Sequence, residues 1–168
     1  MSTLQNVIDP LEFRQALGNL PTGVVIMTAQ GDDGPVGMSC NSFTSVSLEP
    51  PLIGIFPAKT SSTWPAIRKA GRFCINVAAL HHDELTRNFS RKGVDRFAGV
   101  EWTERSSGPG LADAVAWIDC EIYSETDAGD HTFVLGRVTD FGVQEGVDPL
   151  VFHRGSYGSV GPHPGVVA

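Results

Sequence analysis

Several large functional classes leave no mark on this chain. Its 168 residues hold three cysteines, Cys40, Cys74 and Cys120. Their odd number and wide spacing make neither a disulfide framework nor a metal pair, so they read as reduced cytosolic thiols. No His/Cys set has zinc spacing. The "HHDE" at 81–84 opens a helix, where His82 and Asp83 cannot share a face and acidic residues serve the helix dipole. There is no G-x-S-x-G and no P-loop, and no G-x-G-x-x-G opens a helix, which excludes a Rossmann seat for a dinucleotide. Basic residues number 12 against 19 acidic ones, a net −7, with no Lys/Arg block. Phosphate neutralisation supplies most nucleic-acid affinity, so nucleic acid is not an expected partner. No apolar run approaches the roughly 18 residues of a membrane span, so no membrane association is expected. The opening "MSTLQNVIDP" lacks a basic segment followed by an apolar one, so no signal peptide is expected.

What is present is an ordinary globular composition, 41% hydrophobic and 18% charged, with 19 glycines and 11 prolines. That abundance of Gly and Pro suits a turn-rich β domain. "DPLEFRQALGNLPTG" opens with a helix: Asp9 fits the N-cap, Pro10 the first turn and Glu12 a capping-box spacing, with Leu11, Leu17 and Leu20 as its buried side. "GVVIMTA" (23–29) is β-rich, "QGDDGP" is a turn, and "VGMSCNSFTSVSL" is the returning arm of a hairpin. "PPLIGIFPA" is a short strand. "KTSSTWPAIRKAGRF" is a helix preceded by hydroxyl residues and stopped at Gly71. "RFCINVAAL" is a buried strand, and "HHDELTRNFSRKGVDRF" a helix with a polar exit. In "AWIDCEIYSETDAGDHTFVLGRVTDFGVQEG", Ala116, Ile118, Cys120 and Ile122 alternate with Trp117, Asp119, Glu121 and Tyr123. Beyond the turn, Phe133, Leu135, Arg137 and Thr139 alternate with Val134, Gly136 and Val138, which predicts a long antiparallel hairpin. "PLVFHRGSYG" is a last short strand. About seven strands with a few short helices predict one mainly β domain over 1–158, a β-barrel with helical additions, and a flexible tail over 159–168.

Three constellations can carry chemistry. The stretch "VGMSCNSFTSVSLEPP" has a strand's pattern but small polar residues: Gly37, Ser39, Cys40, Asn41, Ser42, Ser45 and Ser47. An extended backbone edge with small side chains matches a flat heteroaromatic ring of alternating donors and acceptors. The same composition also suits an edge strand kept polar against sheet addition. Next, Lys59 and the hydroxyls through Ser62 and Thr63 stand at a helix start, where first-turn N–H groups attract anions; a plain N-cap needs only one such hydroxyl. Arg91-Lys92, with Arg96 and Phe97 beyond, offer a second basic wall, or a solvated helix end. Third, His131 stands at the mouth of the predicted hairpin, and His153, Arg154 and Tyr157 cluster later. Such groups suit an anionic aromatic ligand or a proton relay, and a lone histidine is equally at home as a structural residue.

With these pieces in order, the chain resembles the flavin reductase-like family, in particular the small reductase component of two-component flavin-dependent monooxygenases. The resemblance rests on "LPTGVVIMTA", "GPVGMSCNSFTSVSLEPPLIGIFPAKTSSTW", "AGRFCINVAAL", "FSRKGVDRFAGVEW", "AGDHTFVLGRV" and "PLVFHRGSYG", in family order over about residues 12–158. "SFTSVSLEPPL" and "GDHTFVLGRV" are the most specific. It implies a split β-barrel homodimer, cytoplasmic, that takes FMN or FAD and passes hydride to it from NADH, or NADPH. The reduced flavin would then serve a separate flavin-dependent oxygenase. It implies a flavin seat of Gly37, Met38, Ser39, Cys40, Asn41, Ser42, Ser45, Val46 and Ser47, with Lys59, Ser62, Thr63, Lys92 and Phe97 towards the phosphate. Phe43, His131, His153, Arg154 and Tyr157 would face the nicotinamide, His131 as the catalytic residue. Asn41 departs in part from relatives that carry a smaller residue there. A flavin carrier or sensor without nicotinamide turnover, and a split-barrel oxidase of the pyridoxamine-phosphate oxidase type, are the alternatives. Nothing in the chain separates FMN from FAD.

Overall fold

The computed structural model describes residues 8–161. Helix α1 (Pro10–Leu17) is capped as expected, with Asp9 Oδ1 accepting from the Leu11 and Glu12 N–H groups at 2.8 and 3.0 Å. Its expected buried side is not buried: Leu11, Leu17 and Leu20 are 70%, 56% and 67% exposed. The helix lies off the sheet, and its apolar side walls an open cavity instead.

Strand β1 (Thr22–Gly23) leads into β2 (Val25–Gly31), which turns at Asp32-Asp33 into β3 (Gly34–Cys40). The first five residues of β2 are all buried because both its faces are covered. Val25, Met27 and Ala29 point into the main core, while Ile26 packs outward against Phe89 and Leu111. The expected single returning arm is two strands. It breaks at 41–43 and resumes as β4 (Thr44–Leu48), which pairs with β5 (Pro51–Ile55).

That break sets the architecture. After helix α2 (Trp64–Ala70) and β6 (Arg72–Val77) come the short turn Leu80–His82 and helix α3 (Asp83–Ser90). Two long strands, β9 (Ala116–Ala128) and β10 (His131–Val143), complete a seven-stranded antiparallel sheet ordered β3-β2-β6-β9-β10-β5-β4. Its two edges, β3 and β4, are therefore neighbours in sequence. Laid flat, such edges would stand about 29 Å apart at ~4.8 Å per strand. The four steps from Cys40 to Thr44 span at most about 14 Å. The sheet must curl to bring its edges together, yet no ladder joins β3 to β4. The result is a mainly β, split-barrel-like sheet whose seam stays open.

The long hairpin is present, but its alternation is interrupted. Leu135 opposes Ser124 and Gly136 opposes Ile122, so Tyr123 is an extra residue; Val138 opposes Cys120 and Asp140 opposes Asp119, so Thr139 is another. One bulge on each strand keeps both at 13 residues and turns side chains out of strict alternation. Asp119, expected on the same side as the exposed Glu121, is buried.

It is buried by a hairpin that the sequence pattern did not reveal, β7 (Trp102–Glu104) with β8 (Pro109–Leu111), strapped across the outside of β2, β6 and β9. Thr28 Oγ1 donates to the Pro109 carbonyl at 2.6 Å, and the Leu111 N–H donates to Asn76 Oδ1 at 2.7 Å. Asp119 accepts from Arg105 Nε at 3.0 Å and from the Ser107 N–H at 3.3 Å. Beside them burial, with Asp119 nearby, pushes the Cys74 thiol up to about 12. Finally "PLVFHRGSYG" is two strands rather than one. β11 (Leu150–His153) and β12 (Ser156–Ser159) form a hairpin about Arg154-Gly155, both at positive φ, 49° and 79°. Of the expected tail, Ser159 belongs to β12 and 162–168 lie outside the described residues.

Candidate functional site

The open seam decides where ligands can go. As an edge strand, β3 bonds β2 on one side and leaves its other row of backbone N–H and C=O groups without a strand partner. Three cavities follow one another along it, and a fourth adjoins its end. The first, about 280 Å³, is lined among others by Pro35, Gly37, Ser62, Thr63 and Arg96. It shares Ser62, Thr63 and Arg96 with a second of about 190 Å³ that adds Met38, Ser39, Ser90 and Lys92. That one shares Ser39 and Ser90 with a third, also about 190 Å³, holding Cys40, Asn41, Thr86 and Tyr157. Asn41 and Phe152 then lead into a fourth of about 690 Å³ beside α1, with Arg14 and Arg154 in its lining. The groove thus runs from Pro35 to Asn41, walled by α3 on one side and the loop before α2 on the other.

Small residues line this strand for two different reasons. A Cβ on Gly37 would meet the Phe89 ring at 2.7 Å and the Met27 carbonyl at 3.0 Å, so the glycine serves packing beneath α3. Ser39 faces the groove, its hydroxyl 2.6 Å from that of Ser90. Ser42 works in the seam itself: its hydroxyl accepts from the Phe56 N–H at 3.2 Å and lies 2.8 Å from Cys40 Sγ, tying the β3 end to the chain after β5.

The end near Ser62 is built for negative charge. Ser61 Oγ, just ahead of α2, accepts from the Thr63 and Trp64 N–H groups at 3.3 and 3.1 Å, while Thr63 at the N-cap makes no side-chain capping bond. Ser62 is exposed and lines two of the cavities. Thr63 accepts from Arg96 Nη1 at 2.7 Å, and the same nitrogen donates to the Gly37 carbonyl at 2.6 Å. Arg96 Nε donates to the Arg91 carbonyl at 2.8 Å. One guanidinium therefore fixes β3, the loop before α2 and the loop after α3 to each other, using the fork geometry particular to arginine. Burial draws its pKa below the usual arginine value, but it stays a cation. Among the described residues neither Arg96 nor Lys92 has a carboxylate ion-pair partner. Sequence reasoning set Arg96 beside the site without assigning it; no sequence signal shows that its guanidinium turns back onto Gly37. Phe97 stacks edge-on against Phe89, ring centres 5.1 Å apart, and also lines the first cavity.

The other expected residues are less gathered. Lys59 is ion-paired with Asp127 at the tip of β9. His131 pairs with Ala58 across the same loop, with its Nδ1 2.7 Å from Asp130 Oδ1. That hydrogen bond to His131 and the ring's charge hold the Asp130 carboxyl below the usual range. Phe43 packs on the main core, Ser45 and Val46 are exposed, and Ser47 is half-buried on β4. His153 is exposed; Arg154 Nε donates to Asn19 Oδ1 at 2.9 Å. Tyr157 joins the groove, flanked by Phe152 and with Arg87 4.7 Å over its ring. The four cavities thus gather Gly37–Asn41, Ser62, Thr63, Lys92, Phe97, Arg154 and Tyr157. They leave Ser42, Phe43, Ser45, Val46, Ser47, Lys59, His131 and His153 outside.

A further feature was invisible in sequence. Two buried side-chain oxygens among the described residues have no hydrogen-bond partner, Thr22 Oγ1 and Thr86 Oγ1. Thr22 lines the fourth cavity and Thr86 the third. A groove with a strand edge that no neighbouring strand covers and cations at one end fits a flat ring bearing amide-like groups and a phosphate.

The flavin reductase like domain model matches residues 17–161. The reductase subunit HsaB of a flavin-dependent monooxygenase from Rhodococcus jostii (strain RHA1) is 43% identical over 162 residues, 96% of this chain and 83% of that protein. The FMN reductase (NADH) SmoA of Agrobacterium fabrum is 42% identical over 147 residues, covering 87% and 83%. Among solved structures, the NADH:FAD oxidoreductase SgcE6 of Streptomyces globisporus, in complex with NAD and FAD fragments, superposes with TM-score 0.87. It is 33% identical, with 94% of this chain and 98% of that one covered.

Proposed function

The chain belongs to the flavin reductase like domain family, and from that premise we propose that it is an NAD(P)H:flavin oxidoreductase. It moves a hydride from NADH to FMN or FAD, and a separate oxygenase component consumes the reduced flavin. The observation that carries this reading is the outer edge of β3, which has no strand partner and runs through joined cavities with Lys92 and Arg96 at one end. Bound there, the flavin supplies a hydride acceptor and the nicotinamide a donor. The chain itself holds and orients. Gly37–Asn41 form the seat of the ring, and backbone N–H groups on the outer edge of β3 favour negative charge at its carbonyls. Ser62, Thr63, Lys92 and Arg96 receive the phosphate. Tyr157 and Arg154 belong to the nicotinamide side. Holding two rings in register removes orientational freedom from the barrier, and no side-chain nucleophile takes part.

A homodimer is part of this reading. Leu48 is 96% exposed, and α1 turns Leu11, Phe13 and Leu17 to solvent. Apolar surface of that extent calls for cover by another chain. His131, Phe43 and the β4 residues Ser45, Val46 and Ser47 lie outside one protomer's cavities, and a second protomer beside the seam would bring such groups to a shared site. Cytoplasmic placement belongs to the same reading; among the described residues no helix is long and apolar enough to cross a membrane. The test is steady-state turnover of the purified protein with NADH and with NADPH, each against free FMN and FAD. Loss of the reduced-nicotinamide absorbance on adding flavin is expected, and none with any pairing rejects the function.

A further inference from the structure

We propose that the cavity beside α1 is a second anion subsite, where Arg14 and Arg154 take phosphate esters on the adenosine half of a pyridine dinucleotide. This rests on the reading of the groove as a flavin and nicotinamide site. The cavity, about 690 Å³, continues from the Tyr157 end of the groove through Asn41 and Phe152. Two arginines line it and no aspartate or glutamate does, in a chain with 19 acidic residues against 12 basic ones. Arg154 is held there in a strained backbone. Its φ of 49° is left-handed, a conformation that side chains with a Cβ seldom adopt and that gathers at ligand sites. Its N–H donates to the Gly18 carbonyl at 3.0 Å and its Nε to Asn19 Oδ1 at 2.9 Å. Asn19 is fixed in turn, its Nδ2 donating to the Gln15 carbonyl at 2.9 Å. Arg154 is thereby tied to the end of the helix that carries Arg14, and its two terminal nitrogens keep their donors uncommitted among the described residues. Among those residues Arg14 has no carboxylate partner either. Guanidinium forks with donors to spare match phosphate oxygens, and Leu20 and Phe152 add an apolar wall suited to a purine. The seam then has a cationic end for each substrate: Lys92 and Arg96 for the flavin, Arg14 and Arg154 for the dinucleotide.

Two phosphate groups carry the required chemistry: the diphosphate of either nucleotide, and the 2′-phosphate of NADPH alone. Arg14→Gln, in the full chain, separates them. Arg14 is exposed, so the change does not threaten the fold. The first readout is turnover with FMN as acceptor and NADH, NADPH or reduced nicotinamide riboside as donor. The second is calorimetric binding of 5′-ADP and of adenosine 2′,5′-bisphosphate to the protein without flavin. KM for the nucleotide is expected to rise about tenfold with kcat unchanged, the mark of binding shared by ground and transition states. The riboside, which has neither phosphate nor adenine, and FMN are expected to keep their KM values. Arg14→Lys, which keeps the charge but not the fork, is expected to fall between parent and glutamine variant. A rise for NADH and NADPH alike, with weaker binding of 5′-ADP, assigns Arg14 to the diphosphate. A rise confined to NADPH, with weaker binding of the bisphosphate alone, assigns it to the 2′-phosphate. Unchanged KM for both nucleotides overturns the inference. So does an equal rise for the riboside, or a parent that binds neither adenosine phosphate while still turning over. A parent that oxidises no reduced nicotinamide with FMN or FAD overturns the functional reading itself, and this inference with it.

Discussion

Two regions of this molecule are rich in small polar residues, and they use them in opposite ways. Under the β7–β8 strap, Thr28, Asn76 and Asp119 are all buried and all bonded: to Pro109, to Leu111, to Ser107 and to Arg105. Along the seam, β3 keeps a free backbone edge, Ser62 and Lys92 face open cavities, and Thr22 and Thr86 keep hydroxyls with no partner. Polarity in a β-strand is thus no sign of a ligand seat by itself. The sign is polar capacity that the protein does not use. Buried polar groups are normally matched within the fold, as they are under the strap, whereas the seam leaves a strand edge and two cations open to the groove.

The largest effect should come from the closed region. Asp119→Ala removes the buried carboxylate that holds Arg105 and the Ser107 N–H. Breaking one side of such a pair costs about 3 kcal/mol or more. Chemical denaturation should show that loss, while turnover per folded molecule stays as in the parent. If KM for flavin rose instead and stability held, the two regions would not be separate in function.

The open region should respond the other way round. Ser62→Asp places a carboxylate on an exposed residue at the cationic end, in the cavity that Lys92 and Arg96 also line. Surface changes of this kind move stability by about 0.5 kcal/mol or less. KM for FMN should rise about tenfold, equivalent to ~1.4 kcal/mol, whereas riboflavin, which lacks the phosphate, should be little affected. Equal changes for FMN and riboflavin would place the phosphate elsewhere.

This contrast also explains how far the sequence could be read. "SCNSFTSVS" was visible as a polar strand segment because local composition records it, and the capping of α1 by Asp9 was visible because capping is local. The break at 41–43 was not, since nothing local says that β3 and β4 belong to opposite edges of one sheet. Asp119 was misplaced because a strap from residues 102–111, distant in sequence, covers it while Glu121 on the same side of β9 stays exposed. Gly37 was read as space for a ligand, and the Phe89 ring fills the space its Cβ would need. The exposed leucines of α1 look like core by periodicity alone; the face is apolar, but this protomer does not supply its cover.

The smallest effect concerns a group that stands between the two cases. His82 is buried just before α3, and its Nδ1 accepts the Ala79 N–H at 3.2 Å. Burial, and secondarily the neighbouring His81, lower its pKa below the ordinary histidine value, with Asp113 opposing. Above the ordinary value neither the folded nor the unfolded chain carries the proton, and the hydrogen bond contributes fully. As pH falls between the ordinary value and the lowered one, the unfolded chain takes up a proton that the native state resists, so stability declines with acid. Protonating Nδ1 also removes the acceptor for Ala79. Unfolding midpoints measured from about pH 7.5 down to about pH 5.5, a range that spans ordinary histidine titration, should fall more steeply in the parent than in His82→Gln. Equal slopes would move the acid sensitivity to other groups. Because α3 walls the groove through Phe89 and Ser90, loosening the start that His82 anchors should also weaken FMN binding in the same acid window. The closed and open kinds of polar group would then be coupled through a single helix.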